Sequence, residues 1–295
     1  MIVDFHVHST ASDGTCRPRE IIQVARKRRF AAIALTDHDN CDGICEFRDS
    51  GGDEPPICIP GIELSIEAGA GFDRFHLLGL GVDHNDAKLK KFLSAILDGR
   101  NARNAVMIDN FRKKGIELGD EISSYANGDI LARPHFARWL VEHRYASTIA
   151  EAFARYLLAD SPAETRCYED RYHPSQEEAF DAVHCAGGIC VMAHPKYWCR
   201  AWKTTGPDYA AAERELAVLK EKGLDGLESV YQANTTEENV SFTCIATRLC
   251  LLKTAGSDFH GGNKPNISLG MDVSDSFVAP TLEKIRDCMT KRDLI

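Results

Sequence analysis

Seven short apolar runs read as buried strands: Ile2–Val7, Ala31–Thr36, Ile57–Ile62, Arg74–Gly79, Ile189–Ala193, Gly226–Val230 and Leu249–Thr254. Helical periodicity fills several of the gaps, as at Pro18–Arg28 after the first run and Ser175–Cys185 before the fifth. Strands alternating with helices predict parallel βαβ units. Seven such units predict an α/β barrel, whose active site lies at the C-terminal ends of its strands.

From about Ala87 to Leu158 the alternation stops. Helical patterns at Ala87–Lys114, Pro134–His143 and Thr148–Leu158 follow one another with no convincing strand between them. This predicts a helical insertion between the fourth and fifth strands, placed to cap the site. The expected division is a barrel from residues 1–86 and 167–295 and an insertion over 87–166. There is no internal repeat and no low-complexity stretch.

Polar positions at the strand ends change the picture from a generic barrel to a metal site. Residues two apart on a strand share a face, so Asp4, His6 and His8 project together. Asp13, five residues on, can close the same cluster, and stacked imidazoles suit Zn, Mn or Fe. For an isolated pair of such histidines, two satisfied core residues would be the better reading. The recurrence of the pattern overturns it. His38 follows the second strand, Glu63 the third, and His76 lies in the fourth. His194 follows the fifth, and Asp258 and His260 follow the seventh. An unpaired polar group at a buried strand end costs several kcal/mol, so chance placement would not recur this way.

Composition then bounds the rest. The 295 residues are 44% hydrophobic and 27% charged, ordinary for a globular protein. No window is long and apolar enough for a membrane span and no signal peptide precedes Asp4, so a cytoplasmic protein is expected. Eleven cysteines form no CxxC pair, which points to reduced thiols packed as small hydrophobes. A net charge of −9 argues against broad affinity for nucleic acid. It allows a phosphorylated substrate, because bound cations invert the local field. Between Arg100 and Arg144 the insertion carries eight basic and six acidic side chains, slightly positive within an acidic protein.

The motifs DFHVHSTASDG, LTDHD, GIE, FHLLGL, AHP and GSDFH bracket residues 4 to 260. In this order they resemble the PHP (polymerase and histidinol phosphatase) family of metal-dependent phosphoesterases. The resemblance implies a distorted (β/α)7 barrel holding two to three divalent metals, Mn, Fe or Zn. It implies the ligands His6, His8, Asp13, His38, Glu63, His76, His194, Asp258 and His260, with catalytic weight on Glu63, His194 and Asp258. By the same resemblance His6, His8, Glu63 and Asp258 hold one ion. Glu63 bridges to a second on His76 and His194, and Asp13, His38 and His260 hold a third. Nine such residues are too many for one ion, and mixed N/O donors fit Mn, Fe or Zn better than Mg or Ca. Asp4, Asp37 and Asp39 are expected to orient imidazoles, with a turn or helix cap an equal reading for Asp39. His84, His143, His173 and His184 match no motif and are expected on the surface or in the core.

Arg133-Pro134-His135-Phe136-Ala137-Arg138 resembles a segment of the family's small-molecule phosphatase branch, in which the Arg and His reach substrate phosphate. Arg suits bidentate phosphate contacts. The bland alternative is a helix start with Pro134 in its first turn, and it is preferred for Arg138. Lys196 is a further phosphate-binding candidate that could equally be a loop charge. Two segments depart from the family pattern. Asn234 stands in the loop after the sixth strand where many relatives have a His, and Ala159–Arg166 is less Gly-rich. The expected function is hydrolysis of a small phosphorylated molecule, most of all a nucleotide, releasing inorganic phosphate by attack of metal-activated water. The 3'-phosphate of a nucleoside 3',5'-bisphosphate and a sugar cyclic phosphate are the leading substrates. Histidinol-phosphate-type hydrolysis and trimming of oligonucleotide ends are the alternatives. No membrane association and no stable nucleic-acid partner are expected. A degenerate, non-catalytic module would lack ligands, and a C–N hydrolase would place a catalytic Lys ligand after a strand; neither pattern is present.

Overall fold

The computed structural model describes residues 1–52, 54–67, 74–126, 131–197 and 206–292. It falls into two compact units, one of Met1–Leu93 with Pro174–Ile295 and one of Ser94–His173.

The first unit is a barrel. Its strands are β1 (Ile2–Asp4), β2 (Ala32–Leu35), β3 (Ile57–Glu67), β4 (Arg74–Leu80), β5 (Ile189–Met192), β6 (Gly226–Tyr231), β7 (Leu252–Gly256) and β8 (Met271–Asp272). They pair in the order β7-β6-β5-β4-β3-β2-β1-β8. Beyond the regular strands the two ends of this sheet are stitched together. Phe5 N–H donates to Ala255 O at 3.0 Å, Asp258 N–H to His6 O at 2.9 Å, and His8 N–H to Phe259 O at 2.9 Å. The barrel thus closes where β1 and β7 run out into their ligand-bearing segments. β8, which the sequence pattern does not announce, adds antiparallel to β1 through Ile2 and Val3.

The expectation of uniformly parallel units needs one correction. β4 runs antiparallel to both β3 and β5. Only residues 68–73 separate β3 from β4, and a parallel return needs a crossover of a dozen or more residues. A strand's apolar pattern does not encode its direction, so the connector length was the available signal.

Helices α1 (Pro18–Lys27), α2 (Ile44–Gly51), α6 (Gln176–Cys185), α7 (Tyr209–Glu221), α8 (Thr236–Arg248) and α9 (Asp275–Arg292) accompany the strands. Local sequence sets their starts. Pro18 opens α1, and Ser175 and Thr235 each form a capping box with the Glu three residues on. The barrel core packs Val3, Phe5, Ala34, Leu78, Val191 and Ala255 against Val278, Leu282 and Ile285, an i, i+4, i+7 stripe of α9. Ten described cysteines are free thiols. No helix of the described residues is long and apolar enough to cross a membrane.

The second unit is helical, built from most of α3 (Ala87–Lys113), α4 (Arg133–Glu142) and α5 (Ile149–Ala152). The single helix expected from Thr148 breaks after one turn and continues as a π turn, Phe153–Leu157. Phe111, Phe136, Trp139 and Tyr156 form its core, with the Phe111 and Phe136 rings stacked at 6.1 Å.

Candidate metal centre

The barrel unit brings the nine expected ligand-type side chains into one polar cluster. Glu63, buried on β3, stands at its centre, and its two oxygens face different histidines. Oε2 lies 3.3 Å from His6 Nε2, 3.1 Å from His8 Nε2 and 3.1 Å from His38 Nδ1. Oε1 lies 2.8 Å from His76 Nδ1 and 3.1 Å from His194 Nε2. Asp258 Oδ1 stands 3.6 Å from His6 Nε2 and 3.4 Å from His8 Nε2. A second focus is Asp13, with His260 Nε2 at 3.2 Å, His8 Nδ1 at 3.7 Å and His38 Nε2 at 3.9 Å.

The donor set fits metal ions. His6 Nε2, His8 Nε2 and Glu63 Oε2 form a triangle with edges of 3.1, 3.1 and 3.3 Å. Donors about 2.1 Å from a shared cation, at tetrahedral to octahedral angles, are themselves about 3.0–3.4 Å apart. His8 Nδ1 is buried and makes no hydrogen bond, a cost of roughly 1–3 kcal/mol that a ligand beside Asp13 would remove. His8, Asp13, His38 and His260 form one group able to hold an ion. His6, His8 and Glu63 form another, and His38, Glu63 and His76 a third. His38 thus faces both Asp13 and Glu63, a sharing that the sequence does not specify.

Electrostatics keeps these residues in mixed charge. Burial opposes the charge on His6, but Glu63, Glu228 and Asp258 hold its pKa well above the usual value. His8 is likewise lifted to about 9 by Asp258, Glu63 and Asp13 against the effect of burial. For His38, burial together with neighbouring His8 and His76 prevails and depresses it to about 3. Burial would raise Glu63, Asp13 and Asp258, yet the surrounding imidazoles hold all three carboxyls below their usual range.

Around the ligands, hydrogen bonds fix which nitrogen points inward. His76 Nε2 meets Ser65 Oγ at 3.1 Å, and His260 Nδ1 meets Asp258 O at 2.9 Å. Tyr231 Oη donates to Asp258 Oδ2 at 3.0 Å, and Lys264 Nζ also bonds that oxygen. His194 and Asp258 hold positive φ of 27° and 58°, strain of the kind found at functional sites.

Two expectations about the supporting carboxylates change. Among the described residues Asp4 hydrogen-bonds no imidazole: it accepts from His6 N–H, Ser257 N–H, Ser257 Oγ and Gly270 N–H, tying β1 to the chain after β7. Burial pushes its carboxyl up to about 6 despite those four bonds. Asp37 accepts from Ser9 N–H, Ser9 Oγ and Ser12 Oγ, so it shapes the loop carrying Asp13. Asp39, at φ 56°, accepts from Ser65 N–H. Strand pairing brings these backbone groups close, and they outcompete the rings.

The carboxylate that orients a ring was missed. Glu228, fully buried on β6, places Oε1 3.0 Å from His6 Nδ1 and accepts His194 N–H at 2.6 Å. Gly256 leaves it room: a Cβ there would lie 2.0 Å from Glu228 Oε1 and 2.6 Å from His6 Cβ. A lone acid inside an apolar strand was the available signal.

Lys196 bonds Ala233 O at 2.6 Å and Glu238 Oε2 at 3.2 Å. Asn234 Nδ2 bonds Asn239 Oδ1 at 3.0 Å. His184 Nε2 lies 2.8 Å from Asp225 Oδ2, which also accepts Cys190 N–H, a tie between α6 and the strands. In the helical unit, Arg133 reaches Leu157 O at 3.4 Å and lies over the Tyr168 ring, and buried His135 accepts Ala132 N–H at Nδ1. That bond leaves the ring proton on Nε2. Arg138 is exposed and bonds Tyr125 O.

A barrel that gathers imidazoles and carboxylates at its strand ends defines a metal-dependent hydrolase. The chain belongs to the PHP family: a family model described as PHP domain matches residues 4–157. It is a metal-dependent phosphoric ester hydrolase. It is 32% identical over 285 residues to a 5'-3' exoribonuclease of Haemophilus influenzae, covering 95% of this chain and 98% of that one. It is 28% identical over 270 residues to a 3',5'-nucleoside bisphosphate phosphatase of Chromobacterium violaceum, covering 91% and 90%. A solved structure described as an amidohydrolase from Chromobacterium violaceum, with bound sulfate and no metal, matches with a TM-score of 0.80 at 28% identity. It covers 97% of this chain and 96% of that one.

Proposed function

We propose that this enzyme hydrolyses a phosphate ester of a small nucleotide, with the 3'-phosphate of a nucleoside 3',5'-bisphosphate as the preferred group. A sugar cyclic phosphate is the next choice. The observation that carries the reading is the division of Glu63 between two sets of histidines, the arrangement a carboxylate bridging two ions requires. We assign two to three ions of Mn, Fe or Zn to the nine ligands His6, His8, Asp13, His38, Glu63, His76, His194, Asp258 and His260. Bound there, such ions lower the pKa of water and stabilise attacking and leaving oxygens. The residues' part is to hold that geometry. Glu63 and Asp258 supply the negative charge, Glu228 fixes the His6 ring, and His194 completes the set. The free thiols support a cytoplasmic location.

Arg133 and His135 are proposed to bind phosphate, Arg133 through its fork and His135 through Nε2–H. Lys196, in the barrel unit, is likewise proposed to bind phosphate, by exchanging its ion pair with Glu238. Arg133→Ala should lower kcat/KM by roughly tenfold to a hundredfold, the loss of one charge-assisted contact, while metal content stays at the wild-type level. Lys at this position should rescue only part, lacking the bidentate fork. Steady-state kinetics with elemental analysis checks both, and wild-type kinetics for the Ala variant would return Arg133 to a helix-start role.

The second reading is an exonuclease, and the Haemophilus influenzae relative is the observation that favours it. Comparing kcat/KM for a 3',5'-bisphosphate, its monophosphate and a ten-nucleotide strand separates the two. The bisphosphate is expected to be the best substrate of the Mn-loaded enzyme, with free phosphate as product. Preference for the strand would establish the nuclease instead.

A further inference from the structure

Within the barrel unit, three donors of different chemistry meet away from the nine ligands. His184 lies in the last turn of α6, Cys190 near the start of β5, and Asp225 directly before β6. The ligand His194 follows the other end of β5. Backbone and side chains hold the three together. Asp225 N–H donates to Cys190 O at 2.9 Å, and Asp225 Oδ2 accepts Cys190 N–H at 2.8 Å and lies 2.8 Å from His184 Nε2. One ring nitrogen of His184, Cys190 Sγ and one oxygen of Asp225 all lie within 4.8 Å of one another. Gly223, at φ 118°, gives the imidazole its place: a Cβ there would stand 3.3 Å from His184 Cε1.

An ion pair accounts for His184 and Asp225 and leaves Cys190 over. That residue is fully buried, and among the described residues its thiol reaches only the Phe180 carbonyl, at 3.9 Å, a long contact even for sulfur. Burial and the Asp225 carboxylate both push the thiol up, so by itself it stays protonated. A cation beside it reverses this, since a coordinating thiol is deprotonated outright. Both hydrogen bonds to Asp225 fall on Oδ2, so among the described residues Oδ1 makes none and remains for a cation. The His184 and Asp225 side chains are 39% and 31% exposed, which gives an ion and water a way in. Sulfur, imidazole and carboxylate donors together suit Zn or Co better than the harder Mg or Ca. On one tetrahedral ion such donors stand roughly 3.3–3.6 Å apart, inside the spread found here. We propose that His184, Cys190 and Asp225 form a second metal site, which holds one zinc-type cation with water in the fourth position and clamps α6 to the entries of β5 and β6. Binding releases two protons, one from the imidazolium that Asp225 favours and one from the thiol. The site shares no residue with the nine ligands and stands apart from the phosphoesterase reading.

The test is a cobalt(II) titration of the Mn-loaded enzyme, read by absorbance, for wild type, Cys190→Ser, Cys185→Ser and His184→Gln. Thiolate bound to cobalt gives a strong near-ultraviolet charge-transfer band. The nine ligands include no thiol, so cobalt exchanging into the main centre adds nothing to that band. Wild type should develop it, saturating at one thiolate-bound cobalt per chain, and Cys185→Ser should behave alike. Cys190→Ser should lack the band. His184→Gln, with one ligand lost, should need at least about tenfold more cobalt to reach half-saturation. No band in wild type would overturn the site, and so would a band surviving in Cys190→Ser or an unshifted titration in His184→Gln. Loss of the band in Cys185→Ser would overturn it too, by moving the thiolate ligand to that residue. If Cys190→Ser fails to fold, His184→Gln, altered at a part-exposed side chain, decides the matter.

Discussion

Glu63→Gln should lower kcat/KM by about a thousandfold or more, equivalent to about 4 kcal/mol of transition-state stabilisation, and should leave the purified protein short of metal. The reason is that both oxygens of this side chain are committed. Five imidazole nitrogens lie within 3.3 Å of one or the other. An amide keeps one acceptor oxygen and turns the other end into a donor that cannot ligate a cation. The change also removes a buried negative charge. The Glu63 carboxyl is held well below its usual range by His38, His6 and His76 against burial, so it is ionised at neutral pH. His6 and His8 in turn owe their raised pKa values partly to it. Elemental analysis and steady-state kinetics on the same preparation give the answer. Wild-type turnover together with wild-type metal content would remove Glu63 from the bridging position.

What the sequence discloses and what it hides follow one physical divide. Most of the ligand-type residues were legible because they interrupt an apolar run or follow directly on one, where a polar group without a purpose is costly. His6, His8, Glu63 and Asp258 could be picked out on that ground with no knowledge of their partners. β4's direction was hidden because a buried strand has the same pattern read either way, and β8 was hidden because Met271–Asp272 is too short to show a period. The roles of Asp4 and Asp37 were hidden for a different reason. Their partners Ser257, Gly270, Ser9 and Ser12 include backbone groups that become neighbours only when the barrel closes. Arg103 lay in an ordinary amphipathic stretch, where a solvated charge is the natural expectation. Only its burial sets it apart.

Glu228→Ala should destabilise the protein by roughly 3 kcal/mol, as breaking a buried charged pair does, and should cut kcat/KM by about a hundredfold with a similar loss of metal affinity. One carboxylate here sets two ligands that arrive on different strands. Its Oε1 lies 3.0 Å from His6 Nδ1, which directs His6 Nε2 towards Glu63 and Asp258. Its Oε2 accepts His194 N–H at 2.6 Å and so holds that residue at a φ of 27° that it would not choose alone. Alanine leaves both donors buried without an acceptor and opens space beside Gly256 for the His6 ring to turn. Glu228→Gln retains one acceptor oxygen, enough for His6 Nδ1–H or His194 N–H but not both, and should recover part of the loss. The decisive comparison sets thermal stability against metal affinity and kcat/KM for the two variants. If the Ala variant lost stability while keeping wild-type metal affinity and turnover, Glu228 would be a packing residue of the strand, and His6 would find its orientation elsewhere.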